Sequence, residues 1–202
     1  MTPANALHAH FEQLYEADPD PYDLRTRWYE ERKRALVLAS LPRRRFRHCY
    51  EPGCGNGELT AQLATRCDAV LAADFSGQVL RAASARTALL PQVRVAQHVL
   101  PNQWPLAERF DLIVLSELLY FLPLDAVRTV ARHCARSLAD DGVLLACDWR
   151  PDFAGRACDT AAVHAELGGL ELHQLLAHEE EDFSLKLWTR DARSVARREV
   201  IR

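Results

Sequence analysis

Apolar and polar positions follow two periods along this chain. Four short runs, RHCYEP (47–52), DAVLAAD (68–74), DLIVLSE (111–117) and GVLLACDW (142–149), hold apolar residues at successive rather than alternate positions. A weaker fifth run, QVRVAQ, spans 92–97. Runs of this kind predict strands buried on both faces. Between them apolar residues recur at helical spacing. Over 124–138, Leu124, Val127, Ala131, Cys134 and Leu138 share one side, with Arg128, Arg132 and Arg136 on the other. Helices are also predicted over ELTAQLATR and over the stretch from Trp28 to Leu41. Strand and helix in alternation predict right-handed crossovers and an α/β, mostly parallel sheet with helices on both faces. After residue 168 the pattern changes. LELHQLLAH (170–178) and DFSLKLWTR (182–190), parted by EEE, predict an antiparallel strand pair closing the sheet.

At 202 residues the chain reads as a single domain, with an N-terminal helical lid segment over 1–42 and a Rossmann-like core over 47–190. A net charge of -3 gives no reason to expect nucleic acid as a partner. Basic residues gather at 43–48, expected as a solvated loop opposite the site, and again at 197–202. An acidic run occupies 179–182. The six cysteines show neither CxxC pairing nor metal-ligand spacing, so no metal is expected, and a reduced, cytoplasmic protein fits them. The first residues lack the basic start and apolar core of a signal peptide, and no apolar run approaches bilayer length.

The chemistry gathers at EPGCGNGELT (51–60), where a strand ends and a helix begins. Backbone N–H groups at such a start are ready ligand donors, and α/β sheets bind ligands at the carboxyl ends of their strands. Asp74 ends the next strand, about 20 residues on, where a ribose diol would meet a carboxylate. A dinucleotide loop would need a third glycine at position 58, which is Glu58. Glu51 at the loop entrance would repel a pyrophosphate but suits an ammonium and a sulfonium. S-adenosylmethionine (SAM) has both and lacks phosphate.

Here the chain resembles the class I SAM-dependent methyltransferases, and more closely their nodulation protein S (NodS)-like branch. The resemblance rests on RWYEERKRALVLASLP (27–42), EPGCGNGELTAQLATRCD (51–68), FDLIVLSELLYFL (110–122), DWR (148–150), VHAEL (163–167) and EDFSLKLWTR (181–190). It implies a seven-stranded sheet, cofactor contacts from Glu51, Gly53, Gly55 and Asp74, and a segment Ser116–Glu117 beside the transferred methyl group. Many relatives carry an aspartate after strand three that meets the adenine amine. This chain reads QHVLP there, so His98 or the backbone near Val99 has to serve. The cofactor candidates are completed by Cys54, Gly57, Phe75, and Trp28 and Arg32 of the lid.

The acceptor is expected to be a small molecule, with an amine as its reactive group. An amine must arrive unprotonated, so a nearby carboxylate or histidine is sought. Glu117 ends an apolar strand, where it either handles the acceptor or pairs with an arginine. His164, in AAVHAEL, either orients the substrate or is structural. Tyr120, with Phe121, either walls the methyl channel or packs in the core. Two rivals stand beside this reading: a nicotinamide-dependent oxidoreductase of the same fold, and a methyltransferase-like module without catalysis.

Overall fold

The computed structural model of the protein describes residues 3–201. In chain order the elements are α1 (Pro3–Ala17), α2 (Trp28–Ser40), β1 (Phe46–Pro52), α3 (Glu58–Leu63), β2 (Cys67–Asp74), α4 (Gly77–Thr87), β3 (Val93–Gln97), β4 (Phe110–Ser116), α5 (Leu124–Ser137), β5 (Leu138–Trp149), α6 (Thr160–Gly168), β6 (His173–Glu179), β7 (Phe183–Thr189) and α7 (Val195–Arg198). Among the described residues seven strands form one sheet, ordered β3-β2-β1-β4-β5-β7-β6. β1 to β5 run parallel, and β7 is antiparallel to both neighbours. The order reverses between β1 and β4, and a crevice outside the carboxyl ends of the strands belongs at that switch point. No helix of the described residues is long and apolar enough to cross a membrane.

Burial on both faces accounts for the unbroken apolar runs. Along β4, Phe110, Ile113 and Leu115 enter one core cluster, with α5 residues Val127, Val130, Ala131 and Cys134. Leu112 and Val114 enter the opposite cluster, with Val37 of α2 and Leu59 and Leu63 of α3. Strand β5 divides likewise, Leu144 and Ala146 one way, Val143, Leu145 and Cys147 the other. Each large side chain so buried contributes about 1.5–3 kcal/mol relative to exposure. All six cysteines are free, and five are buried.

Several boundaries differ from the sequence reading. Helix α5 stops at Ser137, and Leu138 opens β5 by pairing with Phe110, ahead of a register shift between Phe110 and Leu112. The DDG triplet at 140–142, with turn-forming residues, is carried inside a twelve-residue strand. Helix α3 covers 58–63 and passes into a 3₁₀ turn over Ala64–Arg66. The basic cluster begins as a loop with Arg44, Arg45 and Arg47 exposed, as expected, but its arginines are also paired. Arg43 and Arg47 both bind Asp141 at 2.6 Å, and Asp111 accepts from the backbone N–H groups of Arg47 and His48. Carboxylates at the amino ends of neighbouring strands recruit these arginines as a clamp, on the edge remote from the glycine loop.

Candidate active site

Residues 53–57 connect β1 to α3, with Gly53, Gly55 and Gly57 at φ 73, 55 and 83°. Their reasons for lacking a side chain differ. A Cβ on Gly53 would lie 2.9 Å from Leu118 Cδ1, and one on Gly57 would lie 3.1 Å from the Cα of Ala83. Those two glycines serve the protein's own packing. A Cβ on Gly55 would meet only the Tyr15 hydroxyl, at 3.8 Å, so this position leaves room for a ligand against the main chain. Within the loop, Cys54 is buried and its N–H donates to the Ala73 carbonyl at 3.0 Å.

Two carboxylates flank the loop. Glu51 is 2% exposed, and its Oε2 accepts from the Thr60 hydroxyl at 2.6 Å. Burial raises its pKa to about 8, against the Thr60 bond and helped by nearby Asp74. Asp74 accepts from the backbone N–H of Gly55 at 3.2 Å and of Ser76 at 3.1 Å. Its pKa is also raised by burial, opposed by the N–H donors of Ser76, Gly55 and Phe75. Among the described residues neither carboxylate has a cationic partner. Such a pair lowers its charge by holding a proton, and a cation placed beside it can take that proton's place.

The N-terminal helix covers this place. Phe11 of α1 packs edge-on against Phe75 and Phe121, at centroid distances of 5.7 and 5.2 Å. Tyr15 is buried, which together with Asp74 raises its hydroxyl pKa. Below α1, Asp20 Oδ1 accepts from Asn56 Nδ2 at 2.9 Å, tying the connecting segment to the glycine loop. At the end of β3 the N–H of His98 donates to the Asp74 carbonyl, and its Nδ1 lies 2.9 Å from the Tyr50 hydroxyl. Burial lowers the His98 pKa, with Arg94 adding to the effect. Val99 is exposed, its N–H donating to Gln103 Oε1 at 2.7 Å.

Trp28 and Arg32 do not join the loop. Trp28 is 70% exposed, and Arg32 makes a forked pair with Glu180 beyond β6, at 2.9 and 2.7 Å. They do lie one helical turn apart, but on the wrong face. The same spacing shifted by one residue gives Tyr29 and Lys33, and these face the carboxyl end of β4.

Glu117 follows β4 with φ 54°, a left-handed conformation that costs a residue with a Cβ about 1–2 kcal/mol. Its backbone N–H donates to the Cys147 carbonyl at 2.9 Å. Oε2 accepts from the Tyr120 hydroxyl at 2.6 Å and from the Trp149 N–H at 3.0 Å. Oε1 accepts from Lys33 Nζ at 2.8 Å. The expected arginine partner is therefore a lysine, brought by α2. Burial works against the Lys33 charge, but Glu117 and Glu30 outweigh it and raise its pKa. Ser116, half-buried, pairs with Cys147 in the sheet. Tyr120 is buried beside Phe121 and Phe153, and the Arg156 guanidinium lies over the Tyr120 and Phe153 rings. Burial, then Glu117, raises the Tyr120 pKa, so its hydroxyl stays a donor.

His164 does not face a substrate channel. It is 4% exposed, with Nε2 at 3.0 Å from Asp148 Oδ2 and Nδ1 at 3.3 Å from the Ser184 hydroxyl. Helix α6 folds it inward because Val163 and Leu167 on the same helix belong to the core. It supports β5 one residue before Trp149. Tyr15, Asn56, Lys33 and Asp148 escaped the sequence reading. The i, i+4 relation of Tyr29 to Lys33 and the DWR triplet carried signals for the last two.

Residues 50–142 match a family described as a methyltransferase domain. Over 149 residues the chain is 29% identical to nodulation protein S of Sinorhizobium fredii (strain NBRC 101917 / NGR234), covering 70% of this chain. The chain spans 65% of the length of that curated relative. A solved structure from Pseudomonas syringae, proposed to be a methyltransferase, is 49% identical with a TM-score of 0.73, covering 81% of this chain and 100% of that one. The N-methyltransferase NodS from Bradyrhizobium japonicum WM9, solved with S-adenosyl-L-homocysteine (SAH), is 25% identical with a TM-score of 0.80. That match covers 90% of this chain and 97% of the other.

Proposed function

The chain belongs to the class I SAM-dependent methyltransferases, in the NodS-like branch, and from that premise we propose that it moves a methyl group from SAM to an amine nitrogen of a small molecule. The observation that carries the cofactor reading is the pair Glu51 and Asp74, two buried carboxylates with no cationic partner among the described residues, on either side of Gly55. Glu51 suits the ammonium of the cofactor, Asp74 its ribose diol, and the open space at Gly55 its close approach to the backbone. Glu58 stands where a dinucleotide loop needs its third glycine and is ion-paired with Arg86, which disfavours a nicotinamide cofactor.

When bound, SAM supplies a methyl group on a positively charged sulfur that leaves without taking a proton. The protein then has to align a nitrogen lone pair and exclude water. Both lone pairs of Glu117 Oε2 are engaged by Tyr120 and Trp149, whereas Oε1, engaged by Lys33 alone, retains one. That lone pair accepts an N–H of the neutral amine and turns the nitrogen toward the methyl group. Tyr120, Phe121 and Phe153 wall the approach. An acceptor nitrogen suits the charge balance, because Glu30 and Glu117 together outnumber Lys33 by one negative charge.

A thermal-shift comparison tests the cofactor half. SAM and SAH should each raise Tm because they bind the folded state, and NAD should leave it unchanged. A shift with NAD and none with either sulfur ligand contradicts the reading.

A further inference from the structure

We propose that Lys33 is a positioning residue, which keeps Glu117 ionised and aims its one free lone pair at the acceptor. The inference rests on the proposed role of Glu117 at the acceptor nitrogen.

Its basis is a three-element contact. Lys33 is 6% exposed on α2, and its Nζ reaches Glu117 at 2.8 Å and Glu30 at 3.1 Å. The other groups facing Glu117 are the hydroxyl of Tyr120 and the N–H of Trp149, with Tyr29 of α2 and Cys147 and Asp148 of β5 near the cluster. Lys33 Nζ also lies 5.1 Å from the centre of the Tyr29 ring. Of all these groups only Lys33 is a cation bonded to the Glu117 carboxylate. A half-buried carboxylate next to a second carboxylate takes up a proton more readily once its cation is removed, against the opposing effect of the Tyr120 and Trp149 donors. A protonated Glu117 would present an O–H to the amine and compete for the nitrogen lone pair that has to attack.

A structural tether would explain the bond but not the backbone. Glu117 holds a left-handed φ of 54°, which turns its side chain toward α2 after the strand has ended. Its Oε2 is fixed by two donors from β5 and the 3₁₀ turn over Leu119–Phe121. Lys33 completes the orientation from the third side, so that α2 belongs to the acceptor site as much as β4 does.

The test follows the Glu117 carboxyl directly, by ¹³C NMR of glutamate-labelled protein, with the resonance assigned through Glu117→Gln. In Lys33→Met the titration midpoint should rise by about one to three pH units relative to wild type, and Lys33→Arg should restore most of it. An unmoved midpoint in folded Lys33→Met overturns the proposal. Should that variant not fold, Lys33→Gln combined with Glu30→Gln removes both the cation and its second carboxylate, and a smaller upward shift is expected. Ligand affinity supplies the second readout. Sinefungin carries an ammonium where SAM carries its transferable methyl group, so wild type should bind it more tightly than SAH near neutral pH. As pH is lowered, Lys33→Met should lose that preference at a higher pH than wild type does. Equal wild-type affinities overturn the placement of Glu117 at the methyl position, whatever the titration gives, which separates failure of the functional reading from failure of the lysine's role.

Discussion

Glu51 and Asp74 end adjacent parallel strands and face one glycine loop, both buried and both raised in pKa. Between about 4.5 and about 8, folded Glu51 keeps a proton that the unfolded chain has released. The folded state binds more protons there, so stability falls as pH rises through that window, by at most about 1.4 kcal/mol per pH unit for one group. Asp74 acts in the same direction. Melting of the ligand-free protein should therefore drop from pH 5.5 to pH 8, and the Tm gain from SAM should grow over the same range as its ammonium replaces the proton. A SAM-induced shift that stays flat with pH argues against Glu51 as the ammonium partner.

The three glycines should separate on substitution. Gly55→Ala meets open space and carries mainly the cost of a left-handed alanine, about 1–2 kcal/mol, so weaker SAH binding should be its leading defect. Gly53→Ala drives into Leu118, next to Glu117, and should lower both Tm and turnover. Calorimetric titration with SAH beside thermal melting reads the two effects. Equal SAH affinity in Gly55→Ala and wild type would falsify the open-space reading of that glycine.

His164 should prove a stability residue. His164→Leu leaves Asp148 buried without its partner, which costs about 3–5 kcal/mol. At roughly 2–4 °C per kcal/mol for a chain of this size, Tm should fall by about 6–20 °C. Turnover per folded molecule should escape the 10²–10⁴-fold loss typical of removing a general acid or base, roughly speaking. A loss of that size with Tm unchanged returns His164 to the chemistry.

Helix α1 should govern cofactor retention. Phe11→Ala removes the ring that packs on Phe75 and Phe121. SAH should dissociate faster from this variant in stopped-flow displacement, with the sheet intact by circular dichroism. An unchanged off-rate places the cofactor outside the cover of α1.

The sheet was legible because β1, β2, β4 and β5 are covered on both faces, which writes each strand as an apolar run. Leu138 was misplaced because it fits the helical spacing of α5 as well as the register of β5, and pairing with Phe110 decides the matter. The glycine loop and Asp74 were readable from local spacing. Lys33 was not, since its partner lies 84 positions away and only folding brings them together. On α2 the spacing read for Trp28 and Arg32 applies, one residue later, to the pair that faces Glu117. A step of one residue turns a helix by about 100°, enough to exchange Trp28 and Arg32 for Tyr29 and Lys33.

Methyl transfer to nitrogen is the central claim, and paired acceptors test it most directly. Purified protein is incubated with methyl-labelled SAM and small amines, amino sugars among them, each beside its N-acetylated counterpart with the same hydroxyl groups. The label should enter free amines, with one SAH released per methyl group transferred, and acetylation should abolish it. Label appearing equally in the acetylated partners, and so on oxygen, would contradict the account.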